Sequence, residues 1–223
     1  MEDSLSLSQL QEKPTTENDE LDTFELGLIS GGLVDVSSLD SDIVVELRYS
    51  TDNNFLHRDF YGNFNKCYLQ PDVADKLLLA QSLLKSRYPA YNIIVYDAVR
   101  PLNVQYEMWN ALKMPLQEKI KYLSNPKYGS LHNYGAAVDV GIVDRFGTPI
   151  DMGTDFDYFG ELAYPIREEQ MLEAGLLSKI QLENRHLLKD VMEDAGFFNI
   201  QTEWWHFNSC YRKEARIKYK LIR

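Results

Sequence analysis

Apolar residues recur along this chain with two periods, and the changes of period mark its elements. Val73, Leu77, Leu78, Ala80 and Leu84 recur at helical spacing after Pro71-Asp72 and stop at Tyr88-Pro89, predicting a helix with proline in its first turn and proline beyond its end. Pro101 opens a second helix through about Leu112 and biases Arg100 towards an extended conformation, so Arg100 is expected at a strand-to-helix turn. Ser178-Lys179-Ile180-Gln181 has capping-box spacing and starts a third, with Ile180, Leu187, Leu188, Val191 and Met192 on one face and Gly196 at its end. Period-two or continuous apolar runs predict strands. Val34-Asp35-Val36 and residues 43–49 are β-rich, and Asn92-Ile93-Ile94-Val95-Tyr96-Asp97-Ala98 reads as a buried strand. In residues 136–143 the alternation places Val138, Val140 and Ile142 on one face and Ala137, Asp139 and Gly141 on the other, a face nearly bare around one carboxylate. Residues 197–200 and 204–207 read as further strands. Strands and helices intermix without a βαβ rhythm, so the expected class is α+β.

Composition narrows the function. A chain of 223 residues with 44% hydrophobic residues can bury one substantial core, and a single domain is expected. The net charge of -11 argues against a nucleic-acid surface, which needs a basic stripe, and Lys and Arg cluster only in the last dozen residues, so no nucleic-acid partner is expected. Six of those net charges fall in residues 1–22. Residues 1–27 are polar and acidic with scattered leucines, predicting a disordered tail before a domain at 28–223. No apolar run approaches the about 18–20 residues of a membrane span. Met1-Glu2-Asp3-Ser4 lacks the features of a secretory signal, so the sequence as written reads as cytoplasmic, or periplasmic if an export signal precedes it. Cys67 and Cys210 are read as two buried free thiols, with one bridge in an oxidising compartment as the alternative.

Of the four histidines, His57 falls in a loop and His186 interrupts an amphipathic helix, and both are read as solvated. The other two have informative neighbours. His132 precedes the strand that carries Asp139, and the two converge if the chain turns at Gly135. Imidazole and carboxylate suit zinc, a hydrolytic zinc takes three protein ligands, and His206 is the available third. Glu203, three residues earlier, is then the natural general base for the attacking water. On a regular strand that pair would face opposite sides, so the proposal demands a turn or bulge between Glu203 and His206. Spacing alone leaves core and capping roles open for these residues, and a structural ion pair open for Arg100 with Asp97.

Ser-x-His-x-x-Gly-x-Ala-x-Asp, met at Ser130, His132, Gly135, Ala137 and Asp139, is followed far downstream by Glu-x-x-His at Glu203 and His206. This pattern resembles the zinc peptidases that cleave D-alanyl-D-alanine. Leu47-Arg48-Tyr49-Ser50-Thr51-Asp52-Asn53-Asn54-Phe55, Tyr96-Asp97-Ala98-Val99-Arg100-Pro101, Asp151-Met152-Gly153-Thr154-Asp155-Phe156-Asp157 and Glu203-Trp204-Trp205-His206-Phe207 are similar to the VanX-like D-alanyl-D-alanine dipeptidases. The resemblance implies a single α+β domain of the zinc D,D-peptidase (Hedgehog/DD-peptidase) type, with a small, mostly antiparallel sheet flanked by helices. It implies one zinc ion on His132, Asp139 and His206, with Glu203 as general base and then acid, and hydrolysis of the small dipeptide D-Ala-D-Ala in peptidoglycan turnover or glycopeptide resistance. Arg100 would stabilise the oxyanion, Asp157 would anchor the free ammonium, and Ser130 and Tyr49 would contact the substrate backbone or carboxylate. Two departures from the family, the acidic tail and the long loop 57–66, are expected to leave this chemistry untouched. A D,D-carboxypeptidase or murein endopeptidase with the same metal site is the alternative within hydrolases. A non-catalytic zinc domain binding cell-wall peptides is the alternative outside them, and Glu203 speaks against it.

Overall fold

Prolines, glycines and capping residues punctuate the chain where its apolar periods change, and the elements fall between them. The computed structural model describes residues 23–223. Helix α1 (Thr23–Ser30) leads into β1 (Val34–Asp35), β2 (Val44–Val45) and β3 (Tyr68–Leu69). Then come α2 (Pro71–Arg87), β4 (Asn92–Asp97), α3 (Leu102–Ala111), α4 (Leu116–Lys119) and β5 (Ala137–Val143). The last part holds α5 (Glu168–Glu173), α6 (Lys179–Asp194), β6 (Phe198–Asn199), β7 (His206–Asn208) and α7 (Arg212–Lys218).

β1 and β3 form a separate antiparallel pair. The main sheet has the order β2-β4-β5-β7-β6, with β2 parallel to β4 and the remaining pairs antiparallel. This is the α+β arrangement expected, a small, mostly antiparallel sheet with helices beside it. α2 packs on β4 and α6 on β6, and the two helices touch each other. Their buried residues, Val73, Leu77 and Leu84 on α2 with Leu188, Val191 and Met192 on α6, join the apolar residues of β4 and β5 in one core. Ser178 and Gln181 close the capping box that starts α6, but Ile180 is exposed, because Leu182 and Arg185 take the inward positions of that turn. Among the described residues no helix is long and apolar enough to cross a membrane.

Further expectations are corrected. β5 is buried on both faces, so its second face is not bare. The Tyr96 ring occupies the space over Gly141, where a Cβ would lie 2.9 Å from it. Residues 43–49 pair only at Val44 and Val45, after which Arg48–Ser50 forms a 3-10 turn. Asn54 stabilises that turn by donating to the carbonyls of Arg48, Thr51 and Arg58. The last strand starts at His206 rather than Trp204. The boundary expected at residue 28 falls inside α1, where Glu25 is buried and ion-pairs Lys66 at 3.1 Å, and Phe24 meets Phe64 edge-on at 5.1 Å. Residues 1–22, the rest of the expected tail, lie outside the described residues. Cys67 and Cys210 are unpaired, Cys67 buried and Cys210 half-buried.

Candidate active site

Three strands bring the chemistry to one level of the sheet. Asp97 on β4 and His206 on β7 are the register partners of Asp139 on β5. His132 arrives from the 3-10 turn Leu131–Tyr134, which Ser130 caps by accepting from the His132 N–H at 3.2 Å. The turn ends at Gly135 in the left-handed region (φ 62°), where a side chain would meet Leu33 at 3.1 Å. The chain does turn at Gly135, as convergence of His132 and Asp139 requires.

The result is a triangle of donors. His132 Nε2 lies 3.2 Å from His206 Nδ1 and 3.3 Å from Asp139 Oδ1, and His206 Nδ1 lies 2.9 Å from the same oxygen. Bonds of about 2.0–2.1 Å in a zinc tetrahedron put neighbouring donors about 3.3 Å apart, so the residues fit that ion. The outer nitrogens are held as well. His132 Nδ1–H donates to the Ala98 carbonyl at 2.7 Å and His206 Nε2–H to Asn208 Oδ1 at 3.0 Å, which leaves Nε2 and Nδ1 respectively as the lone pairs facing the triangle.

The turn demanded between Glu203 and His206 is present at Trp204-Trp205. Trp204 donates through its indole to Thr154 Oγ1 (2.8 Å) and through its backbone to Ala163, while the Trp205 carbonyl accepts from Val140 N–H. Asn199 Nδ2 ties the carbonyls of Glu203 and His206 together at 3.0 and 2.8 Å. Glu203 Oε2 is thereby set 3.9 Å from His206 Nδ1. Burial in the cavity wall pushes the Glu203 carboxyl up to about 7.

Arg100 is buried, its Nε donating to Asp97 Oδ2 at 2.9 Å and its Nη2 to the same oxygen. Nη2 lies 3.7 Å from Asp139 Oδ2, and Nη1 carries none of these bonds. The ion pair that spacing left open is thus present, and Arg100 also lines the cavity. Asp97 in turn accepts from Tyr61 Oη at 2.6 Å. Tyr61 belongs to loop 57–66, so that loop does reach the chemistry, contrary to expectation, because its aromatic residue packs inward against Tyr49 at 5.9 Å.

Tyr49 donates its hydroxyl to Asp157, 2.9 Å from Oδ2 and 3.1 Å from Oδ1, and its ring faces the Arg100 guanidinium at 5.0 Å. Asp157 sits in the left-handed region (φ 61°), and burial, reinforced by the Asp139 charge, raises its carboxyl to about 8. Ser130, buried and accepting from the His132 N–H, lines the same cavity. All eight expected site residues line one cavity of about 280 Å³. His57 and His186 stay outside it. Sequence reasoning missed Asn208 and Tyr61. Asn208 had a signal, since residues two apart on a strand share a face; Tyr61 had none.

The D-ala-D-ala dipeptidase family, peptidase M15, matches residues 29–219 of this chain. The chain belongs to this family. The D-alanyl-D-alanine dipeptidase of Escherichia coli (strain K12) is 30% identical over 175 residues, 78% of this chain and 83% of that protein. That of Synechocystis sp. (strain ATCC 27184 / PCC 6803 / Kazusa) is 28% identical over 168 residues, 63% of this chain and 68% of its own. The solved LdcB LD-carboxypeptidase superposes distantly, with a TM-score of 0.42 at 18% identity over 67% of this chain and 63% of that one. Family membership makes the chain a peptidase, and its domain is α+β as expected.

Proposed function

We propose that the protein hydrolyses D-alanyl-D-alanine to two D-alanines, with one zinc ion per chain held by His132, Asp139 and His206. The observation that supports this most is the donor triangle with zinc-sized edges beside Glu203, in a cavity of about 280 Å³. That volume lies at the lower end of small-molecule sites, in keeping with a dipeptide. Zinc bound there supplies Lewis acidity, lowering the pKa of water and polarising a carbonyl.

The chain's own residues do the rest. Glu203 takes a proton from the water that attacks the amide carbon and returns it to the leaving amine. Arg100, immobilised by Asp97, offers Nη1 to the developing oxyanion, a stabilisation of about 3 kcal/mol in comparable sites. The Asp157 carboxylate accepts the dipeptide's ammonium, whose charge stabilises its ionised form, and Tyr49 orients it rather than touching the substrate through its hydroxyl. Ser130 donates to the substrate's backbone or carboxylate. Such an activity serves peptidoglycan turnover or removes the dipeptide that glycopeptide antibiotics recognise.

The test is D-alanine release from D-alanyl-D-alanine by zinc-loaded protein, beside the N-acetylated dipeptide and a chelated control. Rapid, chelator-sensitive cleavage of the free dipeptide alone is expected. Cleavage of the acetylated substrate instead would make the protein a carboxypeptidase. Glu203→Gln should keep its zinc and lose about 10²–10⁴-fold in kcat; full activity in that variant would sink Glu203 as the base and revive a structural metal.

A further inference from the structure

A second cavity, of about 880 Å³, adjoins the catalytic one. The two share a single stretch of lining, Asp157-Tyr158-Phe159. Phe159 occupies a particular place in that stretch. Its ring centroid lies 4.1 Å from Tyr122, which lines the catalytic cavity and not the second, and 4.7 Å from Phe55, which lines the second and not the catalytic one. Tyr122, Phe159 and Phe55 therefore form a row of touching rings drawn from three separate loops. Phe55 also meets Tyr49 at 6.3 Å, which connects the row to the hydroxyl held on Asp157.

We propose that Phe159 determines peptide length, as the partition that closes the catalytic cavity on the side where a substrate's N-terminus would continue. The proposal rests on the dipeptidase reading, with the ammonium at Asp157. A residue added to that nitrogen must pass Asp157, and the space beyond is the second cavity, walled by Arg48, Tyr96, Thr154 and Trp204 among others. The barrier is one of bulk. A peptide N–H in place of the ammonium still donates to Asp157, so the carboxyl keeps a partner, and what stands across the way into the second cavity is the aromatic row, with Phe159 itself 38% exposed. The second cavity exceeds the catalytic one in volume, so space beyond the partition is not what limits the substrate.

The experiment compares D-alanine release from D-alanyl-D-alanine and from L-alanyl-D-alanyl-D-alanine by zinc-loaded full-length protein and its Phe159→Ala variant. The readout is the ratio of the two kcat/KM values, which cancels any general loss of activity. Phe159→Ala should raise the tripeptide-to-dipeptide ratio about 10-fold or more, and Phe159→Leu, which restores bulk, should bring it back towards the wild-type value. Phe55→Ala, which removes support from the far side, should shift the ratio the same way by less. If Phe159→Ala loses its fold, the ratio in Phe55→Ala decides. An unchanged ratio in variants that still cleave the dipeptide overturns the partition while leaving the dipeptidase reading intact; a wild-type protein inert on the dipeptide overturns that reading instead.

Discussion

At the scale of single residues, the site depends on groups that never touch a substrate. His206 can offer Nδ1 to a metal only while its other nitrogen carries the proton, and Asn208 Oδ1, 3.0 Å from Nε2, holds it there. Asn208→Ala should therefore weaken zinc binding about 10-fold, read by competition with a chromophoric chelator, with the fold unchanged by circular dichroism. Equal affinity in the two proteins would show that the strand alone orients the ring. The members of the donor triangle were legible in the sequence, because imidazole and carboxylate suit a metal and His132, Asp139 and His206 stood in a pattern that resembles a known family. Tyr61 was not legible. Its hydroxyl reaches Asp97 across 36 positions of chain, and no local period encodes such a contact.

At the scale of elements, the strongly periodic stretches α2, β4, α3, β5 and α6 formed within a residue or two of where the pattern placed them. Two-residue strands and short 3-10 turns carry too few positions for a period, which is why β3 and the Arg48–Ser50 turn went unread. β5 shows how an element can be located correctly and its surroundings misjudged. The missing side chain at Gly141 read as a bare face, yet it is a socket for Tyr96, whose ring in turn packs on Phe156 at 5.1 Å beside Asp157. Gly141→Ala should force that ring to move and cost about 1–3 kcal/mol in urea unfolding. A loss below about 0.5 kcal/mol would mean the ring has somewhere to go.

At the scale of the whole molecule, the site concentrates ionisable groups that a metal-free fold tolerates poorly. Burial lifts the carboxyls of Glu203 to about 7 and Asp157 to about 8, and although burial opposes charging His132, the Asp139 carboxylate raises that group above its ordinary value. In each case the folded chain holds a proton that the unfolded chain has released, above about pH 4 for the carboxyls and about pH 6.5 for the imidazole. Stability of the chelated protein should fall as pH rises from about 5 to 8. Zinc binding strengthens over the same window as its ligands lose their protons. The gap in Tm between zinc-loaded and chelated protein should therefore widen from pH 5.5 to pH 8, measured by thermal unfolding at fixed free zinc; a constant gap would contradict the coupling. Sequence alone determined the α+β class, the periodic elements, the family and the residue types of the donor triangle, because each is written in composition, local period or a short motif. Tertiary structure alone decided that Asp97, Asp139 and His206 share one level of the sheet, that loop 57–66 reaches Arg100 through Tyr61, and that Phe159 stands between two cavities. Those facts arise from strand register and from loops distant in sequence packing together, and they exist only once the chain has closed on itself.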